Sequence, residues 1–259
     1  MPVRCAVPLH VERPELVEPL HVHALVCECL ERDQAPTHHH AGAKPFATSP
    51  LRTHDDGLVA FEVGLLDDDL EERLVGAIRP RGGRLRLGRQ VAHVVGPPES
   101  MRRATWEELA RRAVPRREYR FDFVTPTAFR SGQTSVPLPL PKLIFGHYRS
   151  RWHAFGPPEL RPDVAFDELD LAVVDFDIAA SRYPMSRREQ IGFTGQVTLS
   201  LRPTHRTVHV ALDALAGIAD YSGTGSSTPQ GMGVTRYLGG ALLRTGGGPT
   251  VLLQEMAGG

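Results

Sequence analysis

The sequence predicts an α+β protein whose strands pair into antiparallel sheets. Short segments with alternating apolar residues indicate strands, and segments with apolar residues at helical spacing indicate helices between them. These segments follow the order strand, helix, strand, strand, helix, strand, and the order runs roughly twice along the 259 residues. Because this order is typical of the ferredoxin-like fold, we expect tandem ferredoxin-like (RRM-like) domains with antiparallel sheets.

The first half supplies one complete set of these elements. A proline at position 36 ends the first helix, and acidic residues in the first turn of the second helix favour the positive end of its dipole. The strands are predicted at 2–9, 46–51, 58–66 and 84–95, and the helices at 16–33 and 67–78.

The second half is expected to begin after a proline-rich segment. Residues 137–141 read PLPLP, and each proline restricts its own φ angle, which makes the segment a stiff linker. We therefore expect domains at 1–136 and 137–259, with a short helix at 105–114 and a strand at 119–125 closing the first. The later elements are predicted at 142–154 and 208–219 for helices and at 171–178, 196–201, 234–244 and 250–254 for strands.

Composition limits the class of protein. Apolar residues make up 41% of the chain, enough for a core, and no apolar run approaches the ~20 residues of a membrane span. The N-terminus does not resemble a signal peptide. Three cysteines cannot form a disulfide framework, so we expect a cytoplasmic protein, and the spacing of Cys27 and Cys29 does not predict a metal site.

Charge is unevenly distributed although the formal net charge is zero. Residues 101–151 contain ten arginines and one lysine against four acidic residues, whereas residues 152–180 contain seven acidic residues and one arginine. One surface could therefore be strongly basic in space. Arginine suits phosphate because its planar fork donates two hydrogen bonds at once, although a genomic preference for arginine would give the same composition.

A glycine-rich segment at 221–233, YSGTGSSTPQGMG, follows an apolar helix and precedes a strand. Glycine permits close backbone approach, and successive backbone N–H groups in such a loop can surround a phosphate. The position after a helix excludes the Walker and Rossmann motifs. On composition alone, an anion-binding loop and a mobile surface loop fit equally well.

Several segments together resemble the Cas6 family of CRISPR-associated endoribonucleases, which belongs to the RAMP superfamily. The glycine-rich segment is the most specific match, and the others stand in the order that the family shows. The matching segments are GFTGQV at 192–197, YSGTG at 221–225, TPQGMG at 228–233, TPTAFR at 125–130, PLPLP at 137–141 with its helix ending at Trp152, and the stretch from His39 through PFATSPL at 45–51.

The resemblance implies binding of CRISPR repeat RNA and cleavage of the precursor within each repeat. It implies no metal and no cofactor. The ribose 2′-hydroxyl attacks the adjacent phosphate and leaves a 2′,3′-cyclic phosphate and a 5′-hydroxyl. The mature guide RNA, a CRISPR effector complex and a second copy of the chain are the partners that the resemblance implies, and no membrane is expected.

The resemblance also indicates catalytic and RNA-binding residues. In the family, a catalytic histidine stands six residues before a Pro-Phe pair, and this position corresponds to His39. His38 and His40 lie one position away, and Lys44 is a source of positive charge. Some relatives use a tyrosine in the first helix, and none occurs here, so the second proton carrier stays open. The expected RNA contacts are Gly223, Gly225, Ser226, Ser227, Thr228, Gly231, Gly233 and Arg130.

Two other functions remain open from the residues. A non-catalytic subunit of a CRISPR effector complex would bind repeat RNA without cutting it. An unrelated ferredoxin-like protein would bind a small anion at the glycine-rich loop. The three histidines could also be an exposed loop that has no part in catalysis.

Overall fold

The computed structural model describes residues 1–31, 43–53, 58–78, 83–162, 164–165, 168–185, 188–202 and 204–243. Its strands form two larger antiparallel sheets and one short hairpin. The strands are β1 (Val3–Val11), β2 (Phe46–Thr48), β3 (Arg52–Thr53), β4 (Val59–Leu65), β5 (Arg84–Leu87), β6 (Gln90–Val94), β7 (Glu99–Arg103), β8 (Glu118–Thr127), β9 (Phe129–Ser131), β10 (Thr134–Val136), β11 (Leu171–Pro184), β12 (Glu189–Leu201) and β13 (Thr235–Gly239). The helices are α1 (Pro19–Glu31), α2 (Asp69–Ile78), α3 (Trp106–Arg112), α4 (Pro141–Phe155), α5 (Arg206–Gly217) and α6 (Ala219–Ser222).

The first sheet has the strand order β2-β4-β1-β6-β5, with β3 paired to β4 and β7 paired to β1. Strand β1 is central, and its alternate residues Val3, Cys5, Val7 and Leu9 are buried, as the period of two along a strand requires. They share a core with the apolar faces of α1 and α2. The first unit therefore has the arrangement of a ferredoxin-like domain.

The second sheet has the order β11-β12-β8-β13. Its buried face carries Tyr119, Phe121 and Phe123 of β8, which pack against Phe145 and Tyr148 of α4. With α4 following β8 and α5 following β12, this is a second ferredoxin-like unit. The predicted fold class is confirmed.

The expected domain boundary at 136/137 differs from the division of the strands. Strand β8 pairs with β12 and β13, and Trp106 of α3 packs edge-on against Trp152 at 5.0 Å between ring centroids. The second unit therefore begins near residue 104, because the aromatic residues of β8 must be buried between the other strands and α4. The proline-rich segment lies inside this unit, where Pro141 occupies the first turn of α4.

Several element limits also differ from those expected. The strand expected at 84–95 is a hairpin of β5 and β6, and β11 and β12 form a hairpin longer than the segments at 171–178 and 196–201. The strand expected at 250–254 lies outside the described residues. In the part of the chain that the structure describes, no helix has the length and apolar character to cross a membrane.

The two units meet through close backbone packing and a network of charges. A Cβ added to Gly64 of β4 would lie 1.9 Å from the carbonyl oxygen of Tyr221 in α6. Beside this contact, the Asp220 carboxylate is 2% exposed and accepts hydrogen bonds from Arg4 at 2.9 Å and Arg102 at 2.8 Å. Glu62 pairs in turn with Arg4 and Arg236. Asp220 of the second unit is compensated by two arginines of the first unit, and Glu62 by one arginine from each unit, as a desolvated charge requires.

We expect Gly64→Ala to weaken the contact between the two units, because the methyl group would meet backbone atoms that cannot rotate away. Overpacking of this kind costs about 1–3 kcal/mol. The melting temperature in thermal unfolding should fall by roughly 3–10 °C. The matched control is Gly76→Ala in α2, where an added Cβ meets nothing within 4 Å and the melting temperature should hold or rise. An unchanged melting temperature for Gly64→Ala would contradict this account of the interface.

Candidate functional site

The glycine-rich loop at 223–233 is packed into the protein. Several of its backbone N–H groups donate to carbonyl oxygens of the same chain. Thr224 N donates to Gly233 O at 2.8 Å, Ser226 N to Ala128 O at 2.8 Å, and Gly233 N to Pro126 O at 3.1 Å. These amides hold the loop in shape, so only part of it can serve as the open anion cradle that its composition predicts.

The glycines are explained by this packing. Gly233 has a φ of +69°, and a Cβ there would lie 2.0 Å from the carbonyl oxygen of Thr224. A larger residue would be strained in backbone conformation and would also clash. The remaining loop glycines, Gly223, Gly225 and Gly231, also have positive φ and closely approaching neighbours.

The loop of the second unit is held against the first unit by one backbone oxygen. Pro229 lies in a 3-10 turn (Thr228–Gln230), and its carbonyl oxygen accepts a hydrogen bond from Thr48 Oγ1 at 2.8 Å. The Nδ1 atom of His23 lies 2.8 Å from the same oxygen. His23 also stacks on Phe46 with 6.3 Å between ring centroids. The histidine of α1 is thus engaged in joining the two units.

Helix α4 packs beneath the glycine-rich loop. The Tyr148 hydroxyl lies 2.7 Å from Thr224 Oγ1. His147 is one residue earlier, and its buried Nε2 atom has no hydrogen-bond partner among the described residues. Burial, and then the charge of Arg151, lower the pKa of His147 to about 3, although a backbone hydrogen bond at Gly223 acts in the opposite direction. His147 is therefore neutral in the folded protein at physiological pH.

Of the four expected catalytic residues, only Lys44 can be placed, since His38, His39 and His40 lie outside the described residues. Lys44 precedes β2, and its Nζ atom pairs with Glu31 Oε1 at 2.5 Å at the end of α1. The guanidinium of Arg151 donates to the backbone oxygen of Lys44 at 2.8 Å and contacts Thr228 Oγ1 at 3.4 Å. Lys44 therefore lies where α1, β2, α4 and the glycine-rich loop meet.

A cavity of about 270 Å³ lies beside Lys44. Its lining combines the apolar side chains of Leu30, Phe46 and Phe155 with charged residues of both signs, namely Glu31, Lys44, Asp67, Asp69 and Arg73. The three carboxylates make this cavity a poor place for a phosphate. In the described ranges, no group of three or more histidine, cysteine or acidic side chains is arranged to hold a metal ion.

A larger groove of about 950 Å³ opens on the other side of the loop. Arg130 on the exposed side of β9 lines it, and Ser226 and Ser227 of the glycine-rich loop line the opposite wall. Arg188 and Gln190, in the turn and at the start of β12, also line the groove and were not among the predicted contacts. Two consecutive arginines in the sequence, at positions 187 and 188, were the available signal.

Aromatic residues, arginines and loop residues outside this groove differ in their exposure. The aromatic residues of β8 are buried in the core, so they offer no stacking surface to a base. Arg116 pairs with Asp213 at 2.8 Å and donates to the Gly240 oxygen. Thr228 is fully buried, whereas Arg117 and Arg120 are exposed.

Two ferredoxin-like units joined by a glycine-rich loop, with an arginine-lined groove beside it, define a tandem protein of the RNA-recognition-motif type. The family model for CRISPR-associated endoribonuclease Cas6 matches residues 121–235. The chain is 26% identical over 225 residues to a Cas6 endoribonuclease of Mycobacterium tuberculosis, a match covering 83% of this chain and 70% of that protein. A Cas6 of Streptococcus thermophilus is 23% identical over 224 residues, covering 82% and 87%.

Solved structures agree with the sequence matches. A product complex of Cas6 (TTHB231), a Thermus thermophilus protein, superimposes with a TM-score of 0.80 at 29% identity and covers 92% of this chain and 100% of that chain. A product complex of Cas6 (TTHA0078) gives a TM-score of 0.77 at 26% identity, covering 91% and 98%. The chain is therefore similar to Cas6 endoribonucleases in sequence and in fold.

The buried neutral His147 predicts a loss of stability in acid. Its pKa in the folded protein is about 3 against an ordinary value of 6.5, so the unfolded chain binds a proton that the folded protein excludes between these values. The stabilisation is complete above the ordinary pKa and is lost as the pH falls toward the folded pKa, by up to about 1.4 kcal/mol per pH unit. Urea unfolding of His147→Gln between pH 7.5 and 4.5 should therefore show a shallower loss than the wild type.

The control for this measurement is His205→Gln, at the exposed start of α5. Its stability should follow the wild-type pH dependence. If His147→Gln and the wild type lose stability with the same slope, His147 does not exclude the proton.

Proposed function

We propose that this chain is a metal-independent endoribonuclease that cleaves CRISPR precursor RNA within its repeats. The observation that carries the proposal is the match to Cas6 product complexes, which extends over 92% of this chain and all of the compared chain. The similar structures also include a substrate mimic complex of Cas6 (TTHA0078). Repeat RNA is therefore the substrate and the first partner in this proposal.

The proposed chemistry is attack of a ribose 2′-hydroxyl on the neighbouring phosphate. A base must remove the proton of that hydroxyl, an acid must deliver one to the leaving 5′ oxygen, and positive charge must face the phosphate. Histidine titrates near neutral pH and suits proton transfer, so we assign this role to His39, with His38 and His40 as the neighbouring candidates. One of the similar structures is a histidine-to-alanine mutant of Cas6 (TTHA0078).

Lys44 is proposed to stabilise the charge that develops on the phosphate. Its pairing with Glu31 restricts the side chain, and the hydrogen bond from Arg151 to its backbone oxygen holds the chain at this point. A fixed cation loses little energy to reorganisation when charge develops in the transition state.

The RNA is proposed to run along the groove beside the glycine-rich loop. Arg130 and Arg188 would contact phosphates, and the hydroxyls of Ser226 and Ser227 would donate to the backbone. Gly223, Gly225, Gly231 and Gly233 would act by allowing the loop its shape, and Thr228 by fixing the 3-10 turn. Retention of the guide RNA, a CRISPR effector complex and pairing with a second copy remain predictions.

We expect the wild type to cut a 5′-labelled repeat RNA in EDTA and to leave a 2′,3′-cyclic phosphate. A 2′-deoxy substitution at the attacking nucleotide should block cleavage because it removes the nucleophile. His39→Ala should lower the single-turnover rate by about 10²–10⁴-fold, the usual contribution of a general acid or base. His10→Ala, an exposed histidine on β1, is the control and should cut at the wild-type rate.

Other results of this cleavage assay would support different functions. Cleavage that survives alanine at positions 38, 39 and 40 together would refute the histidine assignment and leave the endonuclease standing. Tight binding of uncut RNA by the wild type would favour a non-catalytic RNA-binding subunit. Absence of affinity for repeat RNA at low salt would overturn both.

We expect Arg130→Gln combined with Arg188→Gln to weaken RNA binding without changing the cleavage rate at saturating protein. Two lost contacts to a single strand should reduce the slope of log K against log salt by roughly 1.4. Filter binding of a non-cleavable deoxy-substituted repeat measures this slope. Arg202→Gln removes a side chain that is 81% exposed and pairs with Asp170, and its slope should equal that of the wild type. An unchanged slope in the double variant would exclude the groove as the RNA path.

A further inference from the structure

Arg151 is a half-buried cation at the junction of the two units. It lies on α4, and its guanidinium donates to the backbone oxygen of Lys44 in the first unit and contacts Thr228 Oγ1 in the second. Both acceptors are neutral. Burial lowers the pKa of the guanidinium below its ordinary value, which shows that the surroundings disfavour the charge.

The other arginines near the junction are compensated. Arg4 and Arg102 face Asp220, and Arg236 faces Glu62. For Arg151, no carboxylate lies within ion-pair distance among the residues that the structure describes. A cation withdrawn from water without a counter-charge is costly, so an anion that arrives from outside would be bound favourably.

A second observation points to the same place. His147 lies four residues before Arg151, on the same face of α4. Its Nε2 atom is buried and lacks a partner, and the charge of Arg151 acts on its ring. The helix face beneath the glycine-rich loop therefore presents the cation of Arg151 beside an imidazole that burial keeps neutral.

We propose that Arg151 binds a backbone phosphate of the RNA at the point where Lys44 and the 3-10 turn of the glycine-rich loop meet. The guanidinium has five N–H donors in a planar fork, and two described hydrogen bonds leave donors for phosphate oxygens. The phosphate would supply the negative charge that no described carboxylate provides at Arg151. This assignment rests on the proposed function, because it names RNA as the source of the phosphate.

The experiment compares Arg151→Gln, Arg151→Lys and Arg202→Gln. Binding of a non-cleavable deoxy-substituted repeat RNA is measured from 50 to 300 mM salt, and thermal unfolding is measured without RNA. Arg151→Gln should bind about tenfold more weakly near physiological salt, and its salt slope should be smaller by roughly 0.7. Arg151→Lys keeps the charge and should retain the wild-type slope.

The thermal measurement separates a phosphate contact from a structural role. Arg151→Gln loses a charge that no described carboxylate compensates, and it also loses the hydrogen bonds to Lys44 and Thr228. Because these two effects oppose each other, its melting temperature without RNA should stay close to that of the wild type. An unchanged salt slope, or a lowered melting temperature with unchanged affinity, would overturn the assignment. If the wild type itself fails to bind repeat RNA, the proposed function fails instead. The Arg202→Gln control shows whether the loss of any one positive charge weakens RNA binding to the same extent.

Discussion

The backbone oxygen of Pro229 accepts a hydrogen bond from Thr48 and lies within hydrogen-bond distance of His23, and through it the loop of one unit is held against the other. A proline carbonyl can accept two donors at once, and here the donors come from a strand and a helix of the opposite unit. The glycines around it remove the side chains that would keep these backbones apart. Lys44 and Arg151 meet beside this contact, because Arg151 reaches both Lys44 and Thr228, the residue before Pro229.

The charges at the junction are arranged in two ways. At the packed interface, the two buried carboxylates are shared between arginines of both units, so each charge has a partner of opposite sign. Such a network joins the units. Removal of any one member would destabilise the interface, because it would leave a buried charge unpaired. On α4, by contrast, the Arg151 cation has only neutral hydrogen-bond acceptors among the described residues, which is the basis for proposing a phosphate ligand there.

Much of this architecture follows from short-range patterns. The alternation along β1 and β8, the helical spacing in α1 and α5 and the order of these elements indicate two ferredoxin-like units, because burial on one face imposes a period on the sequence. The family resemblance depends on motif order and needed no contacts. The predicted boundary at 136/137 differs from the division of the strands for a physical reason. A proline-rich segment resembles a linker between domains. The aromatic face of β8 must be buried, however, and it is buried only when β8 pairs with β12 and β13, which lie far away in the sequence.

In the glycine-rich loop, some properties follow from the sequence and others only from the tertiary structure. Its glycines and its place between a helix and a strand are visible in the sequence, and they predicted a loop in which backbone comes unusually close to other atoms. Whether those atoms belong to a ligand or to the protein depends on residues more than a hundred positions away, such as Thr48 and Pro126, which only the folded chain brings to it. In the same way, the sequence determined that the chain is rich in arginine. Only the tertiary structure decided that, among the described residues, Arg236 meets a carboxylate and Arg151 meets only neutral acceptors, because compensation of charge is a property of neighbours in space.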